Sequence, residues 1–408
     1  MSDMLVVSTT LCYPNAAHPT LGVFVERRLQ AIAERTRVCV IAPQPWFPLI
    51  RPTKVPTEID NARKPPLWQP RMFYFPKLAK HWDAKFYESA LVSALNQITD
   101  QRTIGIIDAH FEWPDGVGAF RAAKRLGIPF VCTLRGKLVS QIKDDRKRER
   151  IVEMLHGADA LIAVSQSLAD LANEVAGRPL DIAVIPNGID SAAFHRIDQD
   201  QDDNQPAPHA RMALGWPAGA KVCVSVGHLQ ELKGFHRLVS IWPAVRRQIG
   251  DARLVLVGGS AGEPDYEWRL NRQIVSLNMA DHITLAGRIP PEQVAMMLNA
   301  ADLFVLASRS EGWCNAIAEA LACGCPVVAT DVGGNREIVV DPSLGLLVNQ
   351  QAGTELEPCI VDALSRSWDR ARIAETGGKR TWQQVAEECV DVFNGVLKRD
   401  SPRTPGNE

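Results

Sequence analysis

Short apolar runs alternate with amphipathic stretches along nearly the whole chain. DMLVVSTT reads as a buried strand, and VFVERRLQAIAER carries its apolar positions at helical spacing. VCVIAP is a second strand. Beyond a Pro-rich region at residues 43–70, IGIIDAH predicts a strand and DGVGAFRAAKRLG a helix. IPFVCTL and DALIAVS are strands, QSLADLANEVAG a helix and IAVIPNG a further strand. Strands alternating with helices signal βαβ units around a parallel sheet. Residues 191–210 end in HRIDQDQDDNQPAPHA, the polar, acidic, Pro-containing composition of a linker or long surface loop. A second alternation then starts with KVCVSVGHL, passes through ARLVLVGG and HITLAG, and reaches LFVLAS and CPVVAT. The pattern predicts an α/β protein of two doubly wound domains, 1–190 and 211–380, joined by 191–210. Residues 381–400, TWQQVAEECVDVFNGVLKRD, form a closing helix, and 401–408 a frayed tail.

The length of 408 residues agrees, because a single core stops growing well below it. A net charge of −2 leaves no global attraction to nucleic acid. The nine cysteines are scattered with no C-x-x-C pair and no secretory pattern, which predicts reduced thiols in a cytoplasmic protein. No apolar run approaches the roughly 20 residues of a membrane span.

In open parallel sheets, ligands bind where strands run into helices, at their carboxyl ends. The stretch SRSEGWCNAIAEALACGCPVVAT is such a junction. It places Glu311 in the loop after one strand and Glu319 about two turns into the connecting helix. Helical rise puts their Cα atoms on the order of 12 Å apart along the axis and nearly a quarter turn round it. Paired carboxylates of glycoside hydrolases stand about 5 to 9.5 Å apart, so two contacts along one elongated ligand fit better. Gly312 admits a close approach, and the helix start around Trp313, Cys314, Asn315 and Ala316 offers backbone N–H groups suited to phosphate.

These residues, with the following A-x-x-x-G-x-P-V-V-A-T-x-x-G-G, resemble the E-x7-E signature of glycosyltransferase family 4. The resemblance runs from about residue 9 to about residue 395. It implies the GT-B architecture, two Rossmann-like domains facing a central cleft, and retaining transfer of a hexose-type sugar from a nucleoside-diphosphate sugar. The donor, a UDP-sugar or GDP-sugar, is then a substrate; no cofactor and no metal is implied. By the same resemblance Glu319 binds the ribose, Glu311 lies beside the transferred sugar, and the amides from Trp313 to Ala316 meet sugar hydroxyls and phosphate.

VGHLQELKG resembles the diphosphate loop of the family. Lys233 matches its lysine, whereas His228 stands where many members carry Arg; it either assists the diphosphate or merely caps a strand end. GRIPPEQV resembles the segment whose backbone faces the base, with Arg288 and Ile289 as candidates. In the first domain YPNAAHPTLGVFVERR resembles the loop after the first strand. There Gly22 either brings an N–H to the diphosphate or serves only the turn. IIDAHFEWPDG carries His110, which many relatives place beside the transferred sugar; it would bond a hydroxyl or act as base, or be a satisfied strand-end histidine. Arg135, in TLRGK, stands where relatives often have His and would meet phosphate or acceptor. The closing helix of such proteins usually packs back on the first domain.

The P-x-x-G-x-F-V-E-R-R opening resembles enzymes of surface-polysaccharide or lipid-linked glycan assembly, which predicts a glycan or lipid-linked acceptor. Lys77, Lys80, Lys143, Arg146, Lys147, Arg148 and Arg150 either face anionic lipid at the inner face of the membrane or form a solvated surface, the commoner case. Other readings are weaker. VLVGGSAGE lacks G-x-G-x-x-G, against a nicotinamide enzyme. Asp198 and Asp200 have D-x-D spacing but no preceding strand, against a metal-dependent transferase. A catalytically silent sugar-nucleotide-binding scaffold and a GT-B-like epimerase share the architecture; the E-x7-E match favours the transferase.

Overall fold

The computed structural model describes residues 5–48, 59–99, 103–197, 204–260, 263–349 and 356–400. Asp198 and Asp200 fall outside them. The chain forms two compact units. Unit 1 comprises Met1–Gly188 with Trp382–Glu408, and unit 2 comprises Ile189–Thr381.

Among the described residues, nine strands belong to unit 1: β1 (Leu5–Thr9), β2 (Val38–Ile41), β3 (Gln44–Trp46), β4 (Leu67–Trp68), β5 (Arg71–Phe73), β6 (Ile104–His110), β7 (Phe130–Leu134), β8 (Ala160–Ala163) and β9 (Ile182–Val184). Seven of them form a parallel sheet in the order β4-β2-β1-β6-β7-β8-β9, while β3 and β5 pair separately. Parallel sheets are covered on both faces, so their strands are apolar throughout rather than alternating. All of β1, β6 and β7 is buried accordingly. The exceptions in composition are Ser8, Thr9, Asp108, His110 and Thr133, polar side chains buried inside these strands.

The helix Trp382–Asp400 closes unit 1. Trp382, Val385, Ala386, Cys389, Phe393 and Val396 repeat at helical spacing and join the core of Val25, Leu29 and Ile32 from the helix Val23–Ala33. Residues 43–70 proved more structured than their prolines suggested, contributing β3 and β4 around residues outside the description. Two further helices, Asp83–Thr99 and Asp145–Gly157, were not anticipated. The second opens with the charged DRKRER and buries only Ile151, Met154 and Leu155, too few apolar positions to announce it.

The described residues of unit 2 form six strands: β10 (Lys221–Val226), β11 (Ala252–Val257), β12 (Ile283–Gly287), β13 (Leu303–Leu306), β14 (Val327–Thr330) and β15 (Gly345–Val348). They form a parallel sheet in the order β12-β11-β10-β13-β14-β15. The segment 191–210, read as a linker or long surface loop, packs through its described residues on unit 2. Phe194 is buried in that core, and Asn299 ties the segment down. The Asn299 side chain accepts from Ile197 N at 2.9 Å and donates to the His195 carbonyl at 3.0 Å, while its backbone carbonyl accepts from Ala207 N. A polar, acidic composition hid one apolar anchor.

Each strand order reverses once, beside β1 and β6 in unit 1 and beside β10 and β13 in unit 2. At these points the loops diverge and leave a crevice at the carboxyl ends of the strands.

Candidate functional site

In unit 2 the loops after β10 and β13 meet at the reversal point. Lys233 ends the short 3-10 turn Glu231–Lys233, and Gly234 follows at φ 71°. A Cβ on Gly234 would stand 2.0 Å from the Ala307 carbonyl oxygen, so only glycine lets the two loops approach this closely. Arg309 N donates to the Leu232 carbonyl at 2.8 Å and joins them again.

Lys233 Nζ thereby reaches Glu311 Oε1 at 2.6 Å, and Ser308 Oγ donates to the same oxygen at 2.7 Å. The Lys233 side chain is 18% exposed and that of Glu311 8%, so the pair is largely shielded yet still borders solvent. Burial disfavours the Lys233 charge, but the Glu311 carboxylate outweighs it and holds the ammonium above its ordinary value. Thr330 Oγ1 donates to the Ser308 carbonyl at 2.6 Å, and Gly334 N to the Gly312 carbonyl at 3.2 Å, which fixes the loop on the end of β14.

The helix begins at Asn315, with Cys314 as an N-cap that supplies no side-chain bond. The Cys314 side chain is buried in the core, so this position can offer a ligand only its backbone. Trp313 and Ala316 are half-buried against the same core, and Gly312 and Asn315 are half-buried. Glu319 is half-buried and is the fifth helical residue, little more than one turn in. The spacing drawn from the sequence is thus corrected, because residues 311–314 are not helical and helical rise applies only from Asn315 onward.

His228 is exposed beyond the end of β10, and Arg288 is exposed beyond the end of β12. Partial desolvation, with the neighbouring charges of Lys233 and Arg288, lowers the pKa of His228. His228 thus feels both cations and is the neutral member near pH 7. Ile289 packs partly against the core.

Unit 1 is built differently at its own reversal point. Gly22 has φ 67°, and a Cβ there would stand 2.0 Å from the Cys12 carbonyl oxygen, so the close passage of the loop after β1 demands glycine. His110, predicted to present a ring nitrogen to sugar or acceptor, is fully buried with both nitrogens engaged. Nε2 lies 3.0 Å from Ser8 Oγ and 3.3 Å from Asp108 Oδ2, and Nδ1 accepts from Arg135 Nε at 3.2 Å. The expectation of an accessible base is corrected: a charged partner on either side fixes the imidazole. Burial, aided by Arg135 and opposed by Asp108, brings its pKa down to about 4. Asp108 is driven up by burial, yet His110, Arg28 and Ser8 prevail and hold it below its ordinary range.

Arg135 is more than nine-tenths buried. It donates to Asn187 Oδ1 at 3.2 Å and stacks over the Phe24 ring at 5.3 Å. Burial, with Arg28 nearby, brings its pKa down to about 9, which still leaves it charged at pH 7. Beside it, burial raises Glu112 to about 7 and Asp115 to about 6. Phe111 joins β6 to this segment at φ 72°, a strained angle for a side chain of its size. Glu112 Oε1 accepts from Arg135 N at 3.2 Å, and Asp115 Oδ1 accepts from Leu11 N. Ser8, Arg28, Asp108, Glu112, Asp115, Asn187 and Ser308 were all missed from sequence. A carboxylate inside the apolar run IGIIDAH was the one visible signal.

Residues 21–193 match the model described as Glycosyltransferase Family 4, and residues 208–380 that described as Glycosyl transferases group 1. The D-inositol 3-phosphate glycosyltransferase of Segniliparus rotundus is 29% identical over 72% of this chain and 66% of its own length. The putative teichuronic acid biosynthesis glycosyltransferase TuaC of Bacillus subtilis is 29% identical over 81% of this chain and 82% of its own. Among solved structures, sucrose-phosphate synthase of Thermosynechococcus elongatus has a TM-score of 0.79 at 20% identity, covering 97% of this chain and 100% of that one. Anabaena HepE in complex with UDP has a TM-score of 0.69 at 21% identity, covering 96% and 100%. With both halves matched and the fold shared, the chain belongs to the family 4 glycosyltransferases of GT-B fold.

Proposed function

We propose that the protein is a retaining glycosyltransferase that moves a hexose-type sugar from a nucleoside-diphosphate sugar to a glycan or lipid-linked acceptor in surface-polysaccharide assembly. The observation that carries this reading is the shielded Lys233–Glu311 pair at the sheet reversal of unit 2, directly before a helix start. A lysine held charged beside a helix start suits a diphosphate leaving group. The kinship with TuaC, whose name places it in teichuronic acid synthesis, supports the polysaccharide assignment.

In this scheme Lys233 and the helix amides stabilise the charge that develops on the departing diphosphate, with His228 as a neutral hydrogen-bonding partner. Ser308 and Lys233 orient Glu311 beside the transferred sugar, and Glu319 takes the ribose hydroxyls. Arg288 and the backbone at Ile289 border the base. The acceptor hydroxyl attacks on the face the phosphate leaves, which retains configuration without a protein nucleophile. His110 has a positioning role, because Nδ1 holds Arg135 and Nε2 faces Ser8 and Asp108, which leaves neither nitrogen open to a substrate. A thermal-shift screen with UDP-, GDP- and ADP-sugars tests the donor assignment, since a donor bound to the native state raises the melting temperature. No shift with any of them would overturn it.

A further inference from the structure

Aromatic and basic residues gather on one surface of unit 1, around the segment that follows β5. Rings pass contact from Phe47 to Phe73 at 5.9 Å, from Phe73 to Phe86 at 5.0 Å and to Phe75 at 5.1 Å. Trp82 stacks on Phe86 at 6.4 Å. The inner end of this cluster is anchored, with Met72 and Tyr87 buried. Its outer end is open: Phe75 is 37% exposed, Trp82 43% and Leu78 71%. Single exposed apolar side chains are ordinary, but a continuous one fed by a ring cluster is not.

The backbone displays this end deliberately. Lys77 and Ala79 have φ 61° and 48°, left-handed values that few side chains adopt, and Leu78 projects from between them. Strain of this kind persists where the surroundings impose it. Two lysines rise from the same cluster. Lys80 Nζ lies 5.0 Å from the Tyr74 ring and Lys85 Nζ 5.0 Å from that of Trp82, while Arg71 lies 5.9 Å from Trp46. Residues 71–85 carry Arg71, Lys77, Lys80 and Lys85 against one acid, Asp83, which Lys80 meets at 3.4 Å. The sequence weighed a second set of basic residues in the same role, from Lys143 to Arg150. These alternate with Asp144, Asp145 and Glu149, and Lys147 pairs with Asp144 at 3.5 Å, as on a solvated face.

We infer that residues 71–86 form a docking surface for an anionic lipid bilayer, with Leu78, Trp82 and Phe75 entering the interface and Lys77, Lys80 and Lys85 meeting its phosphates. The composition matches the requirement: aromatic rings settle at the headgroup level, and lysines lay their apolar stems along them while presenting the ammonium outward. No helix among the described residues is long and apolar enough to cross a membrane, so such contact would be peripheral. Each lysine near an anionic surface is worth about fivefold in partitioning.

Sedimentation of the full chain with vesicles of mixed phosphatidylglycerol and phosphatidylcholine tests this, with pure phosphatidylcholine vesicles as the comparison. No donor is added, so the result does not depend on the proposed transfer reaction. Binding to the anionic vesicles alone, weakening as salt rises, is expected. The triple variant K77Q/K80Q/K85Q should lose about 100-fold in partitioning, as three fivefold steps imply. Leu78→Ser with Trp82→Ser should lose about tenfold, on the apolar area withdrawn. Leu78→Ser alone, at the most exposed position, gives a readout should the double variant unfold. Failure of the wild-type chain to bind anionic vesicles, or equal binding by the variants, overturns the inference. So does a concentration-dependent dimer that Leu78→Ser dissolves in vesicle-free sedimentation velocity, which would assign the surface to a second copy.

Discussion

The two sheet reversals of this molecule use charge in opposite ways. In unit 2 the charged pair is shared between two loops and borders solvent; in unit 1 two arginines and three carboxyl groups are sealed between strands and helices. A charge at the surface of a crevice can change partners when a ligand arrives. A sealed network cannot, because removing one member strands the others in a medium that does not solvate them. The contrast is what the proposed site in unit 2 requires, and it makes the sealed network of unit 1 a scaffold.

The largest effect should come from breaking the sealed network. Asp108→Ala removes the carboxylate that faces Ser8 and His110 and offsets the charges of Arg28 and Arg135, and is expected to cost unit 1 about 3–5 kcal/mol in denaturant unfolding. A loss below about 1 kcal/mol would mean that the network is not the scaffold described here. In unit 2 the corresponding break should spare stability and remove function. Lys233→Ala is expected to reduce transfer about 100- to 1000-fold while the unfolding midpoint hardly moves, and Glu319→Ala should behave alike. Near-normal turnover in either purified variant defeats the proposed site.

A smaller, pH-dependent effect separates the two regions further. Glu112 is fully buried and holds its proton up to about pH 7, against 4.5 when unfolded. Its contribution to stability is complete below pH 4.5 and is lost as pH rises through 7. Glu112→Gln should therefore leave stability little changed at pH 4.5 and raise it above pH 7, on the order of 2–3 kcal/mol. His110 acts with the opposite sign. Its folded pKa of about 4 lies below the unfolded 6.5, so its contribution is present above 6.5 and fades as pH falls toward 4. Equal pH–stability profiles for wild type and Glu112→Gln would show that Glu112 titrates alike in the folded and unfolded chain. The smallest effect is expected at the exposed edge of unit 2. His228→Arg supplies a permanent charge and a bidentate fork, and should tighten donor binding about three- to tenfold by calorimetry.

How much of this was legible beforehand follows the same division. The alternation of VCVSV, LVLV and FVL with amphipathic helices announced the parallel sheets, because both faces of such strands are buried. Lys233 and Glu311 stood at strand ends in a recognisable spacing, and the structure brings them into contact. The sealed network was nearly invisible. Ser8, Arg28 and Asn187 come from distant parts of the chain, and single polar residues do not reveal that folding will collect them. His110 was left open between a sugar-facing role and a satisfied strand-end histidine, and the structure fits the second, since its local sequence says nothing of Ser8 or Arg135 closing over it. The packing of Phe194 was lost for a related reason: one apolar residue in a polar stretch carries no periodicity.

The final helix gives unit 1 a peculiarity of timing. Val385, Cys389 and Phe393 complete a core whose other members were laid down near Val25 and Leu29, some 360 positions earlier. A chain synthesised from its amino end finishes unit 2 while unit 1 still lacks one wall. The half that begins first therefore matures last, and a nascent chain arrested shortly before Trp382 would carry a finished second unit beside an open first one.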